Sequence, residues 1–274
     1  MTSLAEYRRS RELAVNLVLR ELRSRYKRTA LGYGWSLLNP LAAVAIYGVV
    51  FAVFLRVAPP VGDPSGLDSF VLFLVCGLLP WNFFANVSNA SLDVLLANAN
   101  LIRKVYFPRE LLVTSVTGAL LVTYLVELVV LLVILVAVGS MVLPWIPVLL
   151  LLVAIQTLMV LGVGLALSVG NVYFRDVKHF MALVLMALFY SVPVVYPISL
   201  VPKERTVLGV EVPVRFLYEL NPLVRMVECF RAVLYDLRFP PLGTFVYFTV
   251  SALVCFAGGL ALFRRLDRRL AEEV

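Results

Sequence analysis

Long apolar stretches with almost no charge divide this sequence into segments. Stretches of about 18 or more such residues predict membrane-spanning helices, because about 20 helical residues cross roughly 30 Å of hydrocarbon. The sequence contains six, at about 37–56, 69–88, 111–138, 145–169, 180–198 and 242–263. At 62% hydrophobic and 15% charged residues, the chain departs far from the composition of soluble domains. We therefore expect an all-α membrane protein with six transmembrane helices in one domain, 1–274.

Positive charge predicts the orientation of these spans. If the N-terminus is cytosolic, the cytosolic segments hold 17 of the 24 lysines and arginines. The outer segments hold the other seven, which seven acidic residues balance. Because basic residues concentrate on the cytosolic side of membrane proteins, both termini are expected in the cytosol. Residues 1–36 are polar and basic, so no cleaved signal peptide is expected.

The sequence lacks the motifs of an enzyme or of a nucleotide-binding protein. No lysine follows a glycine, so the phosphate-binding loop G-x-x-x-x-G-K-S/T is absent. The three cysteines have no metal-binding spacing, and His179 is the only histidine. Energy for any transport would therefore come from another polypeptide. Six helices are also few for a wide conduit, so two subunits around a two-fold axis are the economical arrangement.

Two short cytosolic loops mix aromatic and basic residues. They lie at 98–110 and 170–179, between spans two and three and between spans four and five. Aromatic anchors with a charged rim are typical of docking surfaces, which favours a site for a partner protein. An ordinary positively charged hairpin remains the alternative for the second loop.

Before the first span, apolar and polar residues alternate with helical spacing. One side carries Val15, Val18, Leu19, Leu22 and Tyr26, and the other carries Asn16, Arg20, Arg23 and Lys27. The pattern predicts a basic amphipathic helix within 1–36 that lies in the cytosolic interface. It either anchors the topology or meets an anionic lipid headgroup or a partner protein.

Two features inside the spans suggest function. Pro80 is expected to kink or unwind span two, and the aromatic residues after it are either packing residues or platforms for sugar rings. Glu127 is the only carboxylate deep in a predicted span, so it is either functional or a packing contact between helices.

The outer segment 199–241 contains a charged amphipathic helix. Span five ends in a helix-breaking stretch, 193–197, and Asn221 with Pro222 predicts a new helix start. The apolar face of this helix would carry Leu223, Met226, Val227, Phe230, Leu234 and Leu237. About 15 residues are too few to span a bilayer. We expect an interfacial or re-entrant element, either a gate or a packing lid.

Five segments carry family-like motifs in consecutive order. They are LRSRYKRTALGYGWSLLNP (22–40), GLLPWNFF (77–84), NANLIRKVYFPRE (98–110), YFRDVK (173–178) and NPL (221–223). With these motifs the chain resembles the ABC-2-type permeases of bacterial polysaccharide exporters, which move O-antigen or wall teichoic acid. The resemblance covers nearly the whole chain.

The resemblance implies a homodimer in the cytoplasmic (inner) membrane that binds two copies of a separate ABC nucleotide-binding subunit. The implied substrate is a glycan linked through diphosphate to undecaprenol. No cofactor is expected in this chain, because the partner subunit would bind ATP and magnesium, and no nucleic-acid partner is expected. Residues 264–274 would form a cytosolic tail.

The resemblance also implies roles for particular residues. Those expected to couple to the ATPase are Asn98, Asn100, Arg103, Lys104, Tyr106, Phe107, Arg109, Tyr173, Arg175 and Asp176. Those expected near the lipid diphosphate are Arg20, Arg23, Arg25, Lys27 and Arg28. Those expected in the channel or its outer gate are Trp35, Tyr47, Phe51, Trp81, Phe83, Phe84, Glu127, Phe216, Tyr218 and Phe230.

Two other functions remain open from the sequence. The same fold exports small lipophilic drugs or lipids in related permeases. A membrane anchor for a glycan-synthesis complex, without transport, is the third hypothesis.

Overall fold

The computed structural model describes residues 11–26, 48–54, 60–105, 107–207 and 210–267, with positions 34, 38, 41, 42, 45 and 46. In this part of the chain the α-helices are α1 (Arg11–Tyr26), α2 (Phe70–Ala97), α3 (Ala99–Lys104), α4 (Glu110–Ala137), α5 (Ile146–Tyr173), α6 (Val177–Ser191), α7 (Val214–Glu219), α8 (Pro222–Leu234) and α9 (Leu242–Leu266). The first predicted span, 37–56, is described only in part, and the described residues include a π-helical turn at Val49–Phe54.

Four described helices are long and apolar enough to cross a membrane. They are α2, α4, α9, and α5 together with the 3-10 turn that precedes it. They correspond to the second, third, sixth and fourth predicted spans. The chain is therefore a multi-pass α-helical membrane protein. Helix α2 continues to Ala97, well past the predicted end of its span at residue 88.

The fifth predicted span, 180–198, is shorter than expected. Helix α6 has 15 residues and ends at Ser191. Val192 has extended backbone angles (φ −96°, ψ 140°), as the residue before a proline prefers, and Pro193 lacks the N–H that would continue the helix. The predicted break at 193–197 is confirmed, but the helix does not resume as part of the same span.

Helix α2 is the centre of the bundle. Its side chains are buried along most of its length, against α4, α5 and α8. Tyr124 on α4 stacks on Phe83, with ring centroids 4.7 Å apart, and donates a hydrogen bond to Gln156 Oε1 on α5 (3.2 Å). Gln156 Nε2 donates to the carbonyl of Pro80 (2.7 Å). The helix runs through Pro80 without unwinding, contrary to one predicted outcome.

Among the described residues, one β-hairpin departs from the all-α prediction. Strand β1 (Arg205–Val207) pairs antiparallel with β2 (Val210–Val212), with Thr206 opposite Glu211. It lies between α6 and α7, in the segment predicted to be non-spanning.

The bundle has two polar ends. We call one the basic end; it carries α1, residues 98–109, residues 174–176 and the last turn of α9. The opposite end carries residues 60–69, 138–145 and 192–241. The loops predicted to be cytosolic therefore lie together, and so do the segments predicted to be outside.

Candidate functional site

Residues 98–110 were predicted to couple to an ATPase, and we call them the coupling segment after that prediction; Asn98 joins this segment to two helices. It caps the end of α2 and precedes α3, and its Nδ2 donates to the carbonyl of Val94 (2.8 Å). Its Oδ1 accepts a hydrogen bond from Arg20 Nη2 of α1 (2.7 Å). Helix α1 is thereby connected to the coupling segment. On α3, Asn100, Arg103 and Lys104 are exposed and Ile102 is buried.

The second half of the coupling segment contacts the end of α9, the last helix among the described residues. Arg109 Nη1 forms an ion pair with Asp267 Oδ1 (3.1 Å), and Glu110 Oε1 accepts from Arg264 Nε (3.3 Å). Phe107 is only 8% exposed and lies in the hydrophobic core. Phe107 and Arg109 were predicted to meet a partner, but their side chains contact this chain. Tyr106 lies outside the described residues.

The second aromatic–basic loop lies beside the first. Arg175 and Asp176 are exposed, whereas the hydroxyl of Tyr173 donates to the carbonyl of Leu266 (3.2 Å). Lys178 Nζ forms an ion pair with Asp93 Oδ2 (2.6 Å). A cleft of about 410 Å³ lies between the end of α2 and the second loop and is lined by Asp93, Leu96, Ala99, Asn171, Arg175 and Lys178. The second loop thus lies against the end of α2, where the first loop begins.

Only part of the apolar face predicted for α1 packs against the bundle. Leu17 is buried and Val18 approaches Gly118 of α4, whereas Val15 and Leu19 are exposed. The exposed apolar pair suits a helix that also contacts lipid. Arg20 and Arg23 line a second pocket, of about 320 Å³. Lys27, Arg28 and the side chain of Arg25 lie outside the described residues.

Four of the aromatic residues predicted for the channel are buried inside the single chain. They are Trp81, Phe83, Phe84 and Phe230. The Trp81 ring packs 5.7 Å from the Phe189 ring of α6, centroid to centroid. This burial favours the packing interpretation for all four. Trp35, Tyr47 and the side chain of Phe51 lie outside the described residues.

Glu127 lies on α4, one turn from Tyr124. It is half-buried and makes no hydrogen bond or ion pair with the described residues. Its predicted role stays a prediction.

At the opposite end, α8 begins as predicted. Asn221 Oδ1 accepts from the backbone N–H of Leu223 (3.0 Å), and Pro222 occupies the first helical position. The predicted apolar residues from Leu223 to Leu234 are buried. Thirteen residues extend about 20 Å, too short to cross a bilayer.

Arg231 is the residue that sequence reasoning missed. It is 7% exposed, and its guanidinium group lies 3.7 Å from the centre of the Phe73 ring. Its N–H groups donate to the carbonyls of Phe73 (3.3 Å), Val194 (2.5 Å) and Tyr196 (3.4 Å), and to that of Pro193. It therefore supplies hydrogen-bond donors to the backbone that follows α6, where helical bonding ends.

The sequence contains a signal for this burial. Val224, Val227, Arg231 and Leu234 follow the i, i+3, i+7, i+10 spacing of one helical face. A charged side chain on the buried apolar face of a helix needs hydrogen-bond partners inside the protein. Opposite Arg231, α2 has Gly77, where an added Cβ would lie 2.8 Å from Arg231 Nη2. A side chain at position 77 would displace the guanidinium group from its present place.

A network of charged residues connects α7, α8 and α9. Arg225 pairs with Glu219 (2.9 Å) and Glu228 (3.3 Å) and donates to Thr244 Oγ1 (3.2 Å). Arg215 pairs with the same Glu219 (2.9 Å). Burial raises the pKa of the Glu228 carboxyl above its ordinary value, and Arg225 opposes that shift.

The predicted gate residues Phe216 and Tyr218 lie on α7. Phe216 is exposed. The Tyr218 hydroxyl lies 2.9 Å from that of Tyr196, in the segment that Arg231 holds. Helix α7 is thus joined to the break after α6.

Comparison with known proteins agrees with this architecture. A family model described as ABC-2 type transporter matches residues 13–235. The chain belongs to the ABC-2 type transporter family, as the sequence motifs indicated. Membership implies a membrane setting and an ABC ATPase partner.

Named relatives match over almost their full length. The chain is 31% identical to the O-antigen export system permease protein RfbA of Klebsiella pneumoniae, over 95% of this chain and 94% of that protein. It is 28% identical to RfbA of Myxococcus xanthus, over 96% of each. It is 29% identical to the polysialic acid transport protein KpsM of Escherichia coli, over 93% of each.

Proposed function

We propose that this chain is the permease subunit of an ATP-driven exporter that moves a polysaccharide across the cytoplasmic membrane. One observation carries the proposal. The chain aligns almost end to end with an O-antigen export permease and with a polysialic acid transport protein, which carry two kinds of glycan. The glycan of this exporter is linked to undecaprenyl diphosphate, and O-antigen and teichoic acid are the candidate classes.

The ATPase docks on the basic end. The cleft between residues 93–99 and 171–178 presents Arg175 and Lys178 at its rim, and Lys104 is exposed nearby on α3. ATP and magnesium bind to the partner subunit. Arg109 and Glu110 transmit its movement to α9 through Asp267 and Arg264.

Six spans cross the membrane in this arrangement, with both termini in the cytosol. The first is formed by 37–56 and the fifth by α6 together with the segment that Arg231 holds. The short helices α7 and α8 are re-entrant and close the outer mouth. Arg20 and Arg23 of α1 meet the lipid diphosphate on the cytosolic side.

Two copies form the conduit. Helix α6 exposes Phe180, Leu183, Met186 and Tyr190 at near-helical spacing and buries only Met181 and Leu185. A second copy that covers this stripe would remove it from lipid and place the glycan path at the two-fold axis.

Deletion of the gene tests the proposal. We expect surface glycan to be lost and lipid-linked glycan to accumulate inside the cell, with both reversed by the plasmid-borne gene. A strain with normal surface glycan and raised sensitivity to lipophilic compounds would instead support a small-molecule exporter. Normal glycan without such sensitivity would refute both.

A further inference from the structure

A cavity opens at the opposite end, where four parts of the chain meet. Its volume is about 300 Å³. The walls come from the loop before α2, the start of α2, the segment after α6, and the stretch from α8 to the start of α9. Its polar lining includes Asp63, Ser199, Glu228, Arg231, Asp236 and Arg238.

The walls combine hydrogen-bonding groups with rigid apolar surfaces. Carboxylates of Asp63 and Asp236 accept hydrogen bonds, whereas the Arg238 guanidinium donates, already pairing with Asp236 at 3.1 Å. Pro60, Pro193, Pro197 and Pro241 contribute rigid apolar rings. A hydroxyl both donates and accepts, so a ring that carries several hydroxyls suits walls with both kinds of group.

The charges disfavour an anion. Three carboxylates (Asp63, Glu228 and Asp236) line the cavity against two guanidinium groups. Arg231 already donates to four backbone carbonyls, and Arg238 is paired with Asp236. A diphosphate would therefore meet repulsion and few unoccupied donors.

Metal ions and apolar molecules fit no better. The described residues contain no group of three or more His, Cys, Asp or Glu side chains that could hold a metal ion. A purely apolar ligand would remove these charged groups from water without giving them partners, which is costly.

We propose that this cavity binds a neutral sugar unit of the exported glycan on the outer face of the membrane. This inference rests on the proposed export of a polysaccharide. The volume lies at the lower end of small-molecule pockets, about 300–1,000 Å³, and suits one or two sugar rings. Because the cavity touches α8 and the segment after α6, a sugar bound here contacts both parts of the outer mouth.

Protection of an engineered cysteine tests the site. Ser199 is exposed and lines the cavity, so Ser199→Cys gives a reactive thiol there. The purified permease–ATPase complex is labelled with a polar maleimide, with and without methyl glycosides of glucose, galactose, mannose, rhamnose and N-acetylglucosamine. Lys203→Cys, exposed but outside the cavity lining, is the matched control. The unsubstituted complex measures background labelling of the native cysteines.

We expect at least one glycoside to slow labelling at Ser199→Cys about threefold, as about two-thirds occupancy requires. Labelling at Lys203→Cys should not change, and Asp63→Asn should weaken the protection. The cavity proposal would be overturned if none of the five glycosides slowed labelling at Ser199→Cys, or if inorganic pyrophosphate protected the thiol instead. Neither result would contradict the proposed export function, which the deletion strain tests separately.

Discussion

At the scale of single residues, Arg231 stabilises the opposite end of the bundle. The backbone after α6 leaves helical geometry at Val192, and the carbonyls of residues 193, 194 and 196 turn to the Arg231 guanidinium. Irregular backbone at membrane depth is tolerated only where protein groups satisfy it. A single planar cation with five N–H groups can do so for several carbonyls at once.

Arg231→Ala should destabilise the protein by about 3 kcal/mol or more, because several buried carbonyls lose their donor. Arg231→Lys should recover only part of the loss, since a compact ammonium lacks the guanidinium fork. Thermal unfolding of the detergent-solubilised protein measures both. Arg265→Ala, at an exposed site on α9, is the control and should change stability by less than about 0.5 kcal/mol.

Residue roles could be predicted by segment but not by side-chain direction. The sequence predicted that 98–110 is a polar site, and the structure places its first half on the surface. Phe107 nevertheless lies in the hydrophobic core, and Arg109 pairs with Asp267, the residue that follows α9. Contacts between residues 158 positions apart leave no local pattern to read.

At the scale of elements, α5 and α9 meet backbone to backbone. A Cβ added at Gly162 would collide with the carbonyl of Cys255, and one added at Gly259 would collide with the carbonyl of Gly162. Small residues allow such close approach, which is a main source of helix association in membranes.

Two adjacent glycines on α9 provide a matched test of this contact. Gly259→Ala should lower the unfolding temperature, because the new methyl group has no space against α5. Gly258→Ala meets nothing within 4 Å, so it should be neutral or gain up to about 1 kcal/mol from helix propensity. Equal unfolding temperatures for the two variants would contradict the close packing.

The ion pair between Arg109 and Asp267 predicts a rescue. Asp267→Arg alone should reduce export in the complemented deletion strain, because two arginines then repel at the coupling segment. The double variant Arg109→Asp with Asp267→Arg should restore most of it. Because the pair is partly exposed, breaking it should weaken the contact between the two elements by about 1 kcal/mol, and restoring it should recover a similar amount. Failure of the double variant to exceed the single one would show that the pair does not connect these elements.

Element types were predictable from the sequence more reliably than element ends. Hydrophobic length indicated α2, α4, α5 and α9, and capping chemistry indicated the start of α8. The extension of α2 to Ala97 was missed because its last residues carry polar side chains, including Ser91 and Asp93. Ser91 is nevertheless buried and lies close to Gly164 of α5, and such a contact between two helices leaves no signal in the hydropathy.

At the scale of the whole molecule, the described polar groups are divided between two ends. The basic end presents the exposed surface on which we propose that the ATPase docks, and the opposite end closes around Arg231 and the network of Arg225. Helix α9 contacts both, through Asp267 at one end and Thr244 at the other.

If the ATPase docks on the basic end, reversing positive charges there should weaken its binding. Lys104→Glu combined with Arg175→Glu should reduce co-purification of the ATPase about tenfold or more, because charge complementarity contributes to such interfaces. Lys203→Glu, at the opposite end, should leave co-purification unchanged. A loss of binding with Lys203→Glu as large as with the double variant would contradict the assignment of the two ends.

Transport in a purified system tests the central claim most directly. The permease and its ATPase are reconstituted into liposomes with a labelled undecaprenyl diphosphate–linked glycan on the ATPase side, and a glycosidase is enclosed in the lumen. The proposed function predicts ATP-dependent cleavage of the glycan, which stops when ATP is replaced by a non-hydrolysable analogue. Intact glycan in the presence of ATP, with an assembled and ATP-hydrolysing complex, would contradict it.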